Sequence, residues 1–595
     1  MAKKVTGKKI DFKYNLKMYG HFLMKYKLIF FVLLGLIFIL DLTRIVDKFL
    51  FKIIVDQGTV YTSGNLARSD FIGVLVIIAV SFSVLLIIKS IGKWLYLSLI
   101  NSMETKMMAD LKRKYFNHII HLSHNFHTTH KTGSLIARIT RGASGIERMT
   151  DFVVFNIVPL IFQLVLVSLS LLYFGWVPAL IVVLMAITFI AYSLFIQHFQ
   201  KTANILANQA EDQEKGNISD FLTNIDSIKY FGKEVNVKNK YHKLSEENKL
   251  ATEKHWNYHR WLDAGHTFII GVGTFFLVYF PLMQFLNREI SLGTLVFIYT
   301  VYGNLLDPLF GFVHGIRGFY RSMADFEDLF QYGKIENEVK DKPHAKSLHI
   351  QEGTIEFKNI SFSYHKRKLF NNFSLAIQKN KKIALVGHSG SGKSTLVKLL
   401  YRFYDVDQGE ILIDSRNLKG FKQESLRSAL SIVPQECVLF DDTIYNNILF
   451  SNPSASREEV FKAMKFAQLD KIVAIFPYKE KTIVGERGIR LSGGEKQRGS
   501  IARAILANKK VLVLDEATSS LDSQTEHEIQ KDLEKLMENR TSIIIAHRLS
   551  TIMKADMIVV LEEGRIVQKG THNELIRQSG TYRKLWNLQK GGYIK

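Results

Sequence analysis

The sequence predicts two fold classes in one chain: an α-helical domain with six transmembrane spans, followed by an α/β domain built around a phosphate-binding loop (P-loop). Three observations carry this. Long apolar blocks crowd the part of the chain before residue 315 and are scarce after it. The run Gly387-His388-Ser389-Gly390-Ser391-Gly392-Lys393-Ser394 lies between an apolar Ile383–Val386 and a helix-forming Thr395–Leu400. Beyond residue 351, short strand-like runs alternate with helical ones, the pattern of an α/β domain. At 595 residues the chain is too long for a single domain. The expected division is residues 1–333 for the membrane domain, 334–351 for a polar linker containing Pro343, and 352–595 for the second domain.

The charge pattern supports the membrane half. The formal net charge is +23, which raises nucleic acid as a partner. The excess, however, flanks the apolar blocks, as with Lys3, Lys4, Lys8, Lys9, Lys13, Lys17, Lys25 and Lys27 ahead of the first. Cytoplasmic Lys and Arg beside membrane spans explain that placement, so no nucleic-acid partner is expected. Cys437 is the single cysteine, which excludes an intrachain disulfide and any need for an oxidising compartment. No cleavable leader is expected, because the first apolar block starts only near Leu28 and no small-residue cleavage pattern follows.

In chain order, Asp11 to Met24 sets Leu16, Tyr19, Phe22 and Leu23 on one helical stripe among lysines. Such a helix fits the cytoplasmic membrane surface or a packed surface on the protein. Six apolar blocks follow: Leu28–Val55, Phe71–Ile88, Phe152–Phe174, Trp176–Ile196, Thr267–Leu286 and Leu292–Val313. A span needs about 20 helical residues; the second block is short if Lys89 ends it. Segments 89–151 and 197–260 are long and cationic, whereas 56–70 and 287–291 are short, with Arg68 and Arg288 as their only cations. Positive-inside counting then places both termini and both long segments in the cytoplasm of an inner or plasma membrane. The long segments lack proline and read as helical extensions of the spans, reversing near Phe126–Gly133 and Asn224–Gly232.

Two clusters interrupt this pattern. His118, His121, His124, His127 and His130 recur every three residues, a spacing that raises metal binding. A strict period of three drifts around an α-helix, and no acidic or cysteine ligand accompanies the set, so surface and interdomain histidines are the better reading. Asp41, Arg44 and Asp47 recur at the same spacing inside the first block, and Asp307 precedes Pro308 in the sixth. Ionised groups at that depth cost free energy unless they face protein or a watery cavity. The cluster reads either as part of a substrate pathway or as an ion cluster, with Arg44 reached by both carboxylates, that holds helices together.

In the second domain the loop chemistry is explicit. Gly387, Ser389, Gly390 and Gly392 let the backbone curl so that its N–H groups converge on an anion at the start of a helix. Lys393 reaches the β- and γ-phosphates, Ser394 offers its hydroxyl to Mg²⁺, and Thr395 continues the phosphate-binding turn. The run Val511-Leu512-Val513-Leu514-Asp515-Glu516 is an apolar strand ending in two carboxylates. Asp515 is expected to hold Mg²⁺, directly or through water, and Glu516 to polarise the attacking water.

Leu491-Ser492-Gly493-Gly494-Glu495-Lys496-Gln497-Arg498 then resembles the signature run of the ATP-binding cassette (ABC) family. Physically, Ser492, Gly493 and Gly494 open a second helix and a second anion-binding N-terminus. The resemblance implies that this end serves ATP bound to a partner subunit, two cassettes meeting head to tail. It further implies that Tyr364 stacks on adenine, that Gln435 sits near Mg²⁺ and the attacking water, and that His547 contacts the γ-phosphate. Asp522 matches the loop that communicates across the dimer, and Val484-Gly485-Glu486-Arg487-Gly488 resembles an exporter loop facing the membrane domain. Six spans ahead of one complete cassette resemble a half-size ABC exporter, an α-helical six-span transmembrane domain followed by an α/β P-loop ABC ATPase domain. Phe126-His127, Lys131-Thr132-Gly133 and Asn156-Ile157-Val158-Pro159 resemble mitochondrial-type exporters of glutathione-linked compounds. Gln163 stands where that group usually has Glu, and Asp263 and His266 where it tends to carry amides.

The expected function is therefore ATP-driven export or lipid flipping by alternating access, with ATP and Mg²⁺ as cofactors. A second copy of the chain is the implied partner, with a heterodimer as the alternative, and membrane lipid surrounds both. Competing readings are an ATP-gated channel or non-transporting sensor on the same ATPase, and a soluble ATPase acting on nucleic acid, which six spans oppose. An importer fits less well, since the membrane half is fused ahead of the cassette. The substrate is not legible: glutathione-linked or metal-related compounds are one class, and cavity side chains scattered over several helices do not reveal it.

Overall fold

The computed structural model describes residues 10–130, 132–365, 367–485, 488, 491–515, 523–545 and 552–591. The chain forms two compact units, Met1–Ile120 with Lys131–Ile335, and His121–His130 with Glu336–Lys595.

In the first unit, α1 (Phe12–Lys25) leads into α2 (Lys27–Thr62) and α3 (Arg68–Ile120). The short α4 (His124–Thr129), which belongs to the second unit, precedes α5 (Thr132–Asp151). A π-helical turn, Phe152–Ile157, joins α5 to α6 (Val158–Leu172). Then come α7 (Trp176–Thr223), α8 (Ile225–Tyr230), α9 (Glu234–Leu286), α10 (Leu292–Tyr302) and, after one 3₁₀ turn, α11 (Leu306–Gly333). Among the described residues, six helical runs are long and apolar enough to cross a membrane. Helices α3 and α9 have 53 residues each, about 80 Å at 1.5 Å per residue. A hydrocarbon core of about 30 Å accounts for less than half of that, so both run far past it, as the proline-free segments led one to expect.

Lys89 does not end the helix of the second apolar block. It lies inside α3, and its ammonium pairs with the Asp47 carboxylate of α2. This also corrects the reading of Arg44 as shared by two carboxylates. Arg44 Nη1 stands 3.7 Å from Asp41 Oδ1 with half its side chain exposed, while Asp47 faces α3. Arg44 lies midway between the two carboxylates on the helix face, and it is Lys89 that takes Asp47 and leaves Arg44 to Asp41. Asp41 is only 3% exposed, and Gln163 of α6 donates to its backbone oxygen at 3.4 Å.

Helix α1 uses its stripe against protein on one side. Tyr19, Phe22 and Asn15 are buried, Asn15 donating to Glu327 Oε2 at 2.9 Å and Tyr19 bonding Thr150 at 3.1 Å. Leu16 stays exposed, so the predicted stripe is split between two faces. The five histidines also diverge. His118 contacts Tyr332 O at 2.9 Å, His124 stacks on Phe403 at 4.7 Å, and His130 stacks on Phe126 at 4.2 Å. Among the described residues no group of three or more His, Cys, Asp or Glu is placed to hold a metal, so the spacing reflects separate packing duties.

The second unit begins with β1 (Ile355–Tyr364), β2 (Arg367–Ile377), β3 (Lys382–Val386) and α12 (Lys393–Leu400). Next are β4 (Gln408–Ile413), β5 (Arg416–Asn417), α13 (Gln423–Ser428) and β6 (Leu430–Val433). Helices α14 (Ile444–Leu449), α15 (Arg457–Phe466), α16 (Leu469–Val473) and α17 (Gly493–Ala507) follow. The remaining elements include β7 (Val511–Asp515), α18 (Ser523–Leu536), β8 (Thr541–Ile545), β9 (Met557–Glu562) and β10 (Arg565–Gly570). An antiparallel sheet runs β2-β1-β4-β5, and a second runs β10-β9-β3-β8-β7-β6, parallel except at β10.

Both faces of the second sheet are buried. Ala384, Val386, Leu512, Leu514 and Ile544 enter one core, whereas Ile383, Leu385, Val511, Val513 and Ile543 enter the other. Alternation with period two sends neighbours to opposite faces, which is why these strands read as unbroken apolar runs.

One carboxylate ties the entry of this unit to its first sheet. Asp414 accepts from the backbone N–H groups of Gly353 (2.7 Å), Thr354 (3.0 Å), Gln351 (2.7 Å) and Glu352 (3.2 Å). Burial pushes its pKa up, but the four donors outweigh burial and hold it below the usual carboxylate range. Asp414→Ala leaves these donors unpaired and is expected to destabilise the unit by about 1–3 kcal/mol, read as a lower melting temperature of the full chain. Because the folded pKa is depressed, this stabilisation is complete above the unfolded value near 3.9. It disappears as pH falls through the lowered folded value, so the wild-type and variant melting curves should converge in acid.

Candidate functional site

Strand register assembles the site. Leu385 of β3 and Asp515 of β7 both lie opposite Ile545 of the intervening β8. The carboxyl ends of β3 and β7 are therefore level and two strand spacings apart, about 10 Å. Val433 of β6 lies opposite Leu514, and Gln435 follows two residues later in an exposed loop. Parallel strands thus deliver the glycine loop, Asp515 and Gln435 to one edge, where open α/β sheets bind ligands.

The loop between β3 and α12 is held by close approaches. Gly392 has φ of 109°, and a Cβ there would sit 2.7 Å from the Phe370 ring. A Cβ on Gly387 would come within 2.2 Å of Leu561 O. Lys393 is 6% exposed, and its ammonium donates to Gly387 O at 2.8 Å and His388 O at 3.0 Å. A cation is thereby held under the loop by two of its own carbonyl oxygens.

A cavity of about 250 Å³ opens over this loop. Ser389, Gly390, Gly392, Lys393, Ser394 and Thr395 line it together with Tyr364, whose Oη lies 3.4 Å from Thr395 Oγ1. Gly387 lies beneath the loop rather than in the lining. Arg367 and Leu369 also line the cavity, and neither had been singled out in the sequence. No local signal marked them, because their place beside the loop comes from the pairing of β2 with the Tyr364 strand.

Ser492, Gly493 and Gly494 are placed elsewhere, at the start of α17, outside the lining of this cavity. Ser492 Oγ accepts from Glu495 N at 3.3 Å while Glu495 Oε2 accepts from Ser492 N at 2.7 Å. This reciprocal cap leaves the N–H groups of Gly493 and Gly494 as the donors at the tip of the helix, where an anion is favoured. Glu516, Asp522, His547, Glu486 and Arg487 lie outside the described residues.

Cys437, two residues past Gln435, touches the same helix: its thiol lies 2.8 Å from Gln497 Oε1. Burial pushes the thiol up to about 11, against smaller opposing effects of Ser500, Arg503 and Lys496. At pH 8 the thiolate is then scarcer than in a free cysteine by a factor on the order of a hundred. Alkylation by iodoacetamide at this lone thiol should be slower by about that factor, accelerating only as the pH approaches 11. Free-cysteine rates at pH 8 would contradict the burial.

Comparison with known proteins agrees with this geometry. The ABC transporter transmembrane region model matches residues 30–309, and the ABC transporter model matches 370–519. "ABC transporter B family member 24, mitochondrial" of Arabidopsis thaliana is 37% identical over 83% of this chain and 73% of its own. "Iron-sulfur clusters transporter atm1, mitochondrial" of Aspergillus fumigatus is 35% identical over 91% and 75%. A solved structure described as a bacterial Atm1-family ABC exporter with ATP bound superposes with a TM-score of 0.82 at 31% identity, covering 93% of this chain and 97% of that one. Six spans, a phosphate loop at the sheet edge and a separate signature helix are thus joined in one chain, which belongs to the ABC transporter family as a half-size, ATP-driven exporter.

Proposed function

We propose that two copies of this chain assemble into an exporter for metal-linked or thiol-linked small compounds, driven by ATP and Mg²⁺ through alternating access. The observation that carries the ATPase reading is the common sheet edge holding the phosphate loop, Asp515 and Gln435. Tyr364 stacks on the base, Ser389, Gly390 and Gly392 wrap the phosphates, and Lys393 neutralises them. Ser394 Oγ, Gln435 and Asp515 are oxygen donors of the type Mg²⁺ prefers, and the ion, when bound, offsets phosphate charge. Glu516 orients the attacking water, and His547 contacts the γ-phosphate.

The dimer is supported by the signature helix: its donors at Gly493 and Gly494 point out of the helix tip and lie apart from the chain's own phosphate cavity. A facing cassette brings its ATP to them. ATP binding therefore closes the pair, the long extensions of the membrane helices carry the closure, and hydrolysis resets the state. The Lys- and Arg-dense segments support a topology with the cassette and both termini in the cytoplasm. Relatives named as mitochondrial and as iron–sulfur cluster transporters, and a Caenorhabditis elegans relative named heavy metal tolerance factor 1, support an inner membrane and a metal-related cargo over a lipid. Gln163 and His266, which depart from the glutathione-linked exporters, are fully buried. His266 bonds Ser193 at 2.7 Å and stacks on Phe189 at 3.9 Å, so these two departures alter helix packing and leave that cargo class open.

Glu516→Gln should keep ATP binding and dimer closure while ATP hydrolysis and ATP-dependent uptake into inside-out vesicles fall by orders of magnitude. Near-normal turnover contradicts the assignment. Lys393→Ala should instead weaken ATP binding itself.

Site sharing has its own test. Lys393→Ala and Ser492→Arg chains should each be inactive as homodimers, whereas their mixed dimer should recover up to one working site. No recovery in a verified mixed dimer would argue against head-to-tail sharing.

A further inference from the structure

We propose that Arg367 is a nucleotide-binding residue, holding the ribose and α-phosphate end of the ligand. This deepens the nucleotide reading of the cavity and rests on it. Tyr364 and Arg367 are direct partners across the β1–β2 hairpin, so their side chains leave the same face with Cβ atoms about 5 Å apart. Leu369, two residues along β2, lies where the register with β1 shifts. All three line the cavity, which makes β2 one of its walls.

The wall has a direction. Leu369 marks the phosphate end, because its Cδ2 lies 3.8 Å from the place a Cβ on Gly392 would occupy. Arg367 is two residues nearer the hairpin, about 7 Å farther along the strand, beside the Tyr364 ring. Lys393 and Ser394 already occupy the loop end, where the β- and γ-phosphates belong. The guanidinium of Arg367 therefore reaches the nucleoside side of the ligand, where the α-phosphate oxygens and ribose hydroxyls lie. Its planar fork of N–H donors and permanent charge suit those acceptors.

Three other arginines of this unit have structural partners: Arg402 bonds Asp405 at 2.9 Å, Arg498 bonds Glu528 at 2.7 Å, and Arg503 bonds Asn447 Oδ1 at 2.6 Å. Arg367 is exposed, and among the described residues its side chain takes no ion pair or hydrogen bond. It is a charged side chain in an anion-binding cavity without a structural duty.

The test uses the full chain in lipid nanodiscs, with ADP binding by calorimetry and the ATP dependence of hydrolysis. Arg367→Ala should raise the Kd for ADP and the KM for ATP by the same factor, about tenfold, with kcat within twofold of wild type. Both nucleotides carry the ribose and α-phosphate, hence the equal loss. Arg367→Lys keeps the charge without the fork and should lose about threefold. An unchanged melting temperature should accompany both. An ADP Kd within twofold of wild type in Arg367→Ala overturns the assignment, as does a loss confined to ATP, which places the side chain at the γ-phosphate. Lys393→Ala separates the two levels of the argument. If that variant binds ADP normally, the cavity is not the nucleotide site and both readings fall; if it loses binding while Arg367→Ala does not, only the Arg367 assignment falls.

Discussion

Parallel pairing of β3, β8 and β7 in a common register is the constraint on which the rest of the nucleotide unit depends. Hydrogen bonds set the level of each strand against the next, so a residue count past the strand end becomes a position in space. Leu385 and Asp515 share Ile545 as their neighbour, and the loop and the carboxylate emerge at the same height. A slip by one residue would turn every buried side chain to the opposite core. The two cores on either face of the sheet therefore enforce the geometry of the site, and burial energy is the source of its precision.

The membrane half is governed by a different rule, the cost of charge away from water. Asp47 answers it with Lys89 of the next helix, and Asp41 with the half-exposed Arg44 of its own. Helix α2 is therefore joined to α3 through the Asp47 carboxylate and to α6 through the backbone oxygen of Asp41, which accepts from Gln163. The half-exposed guanidinium of Arg44 is the member of the cluster that retains contact with its surroundings.

Legibility followed the range of the interaction. The phosphate loop, the strand into Asp515 and the six spans were readable because each is local: a glycine pattern, an apolar run, a length. The ends of β3 and β7 fell within a residue of expectation for the same reason, since apolar runs of fully buried parallel strands have sharp edges. Pairings across the fold were not readable. Nothing near Asp47 in the sequence names Lys89, 42 residues away, and the histidine period of three resolves into unrelated contacts because the chain leaves α3 at Ile120 and starts α4 at His124. Arg367 was missed because its meaning depends on which strand lies opposite.

The signature helix shows how a local rule reaches beyond one chain. A helix start must place its first N–H groups somewhere. In α17, Ser492 and Glu495 satisfy each other, and Lys496 N bonds Ser492 O at 3.0 Å, which leaves the two glycine amides at the tip. Glycine at both positions removes any side chain that would screen them. On the proposed head-to-tail pairing, a phosphate held at the Lys393 loop of one cassette would meet these two amides of the other, and closure over that shared nucleotide would be passed to the helices that continue from the membrane.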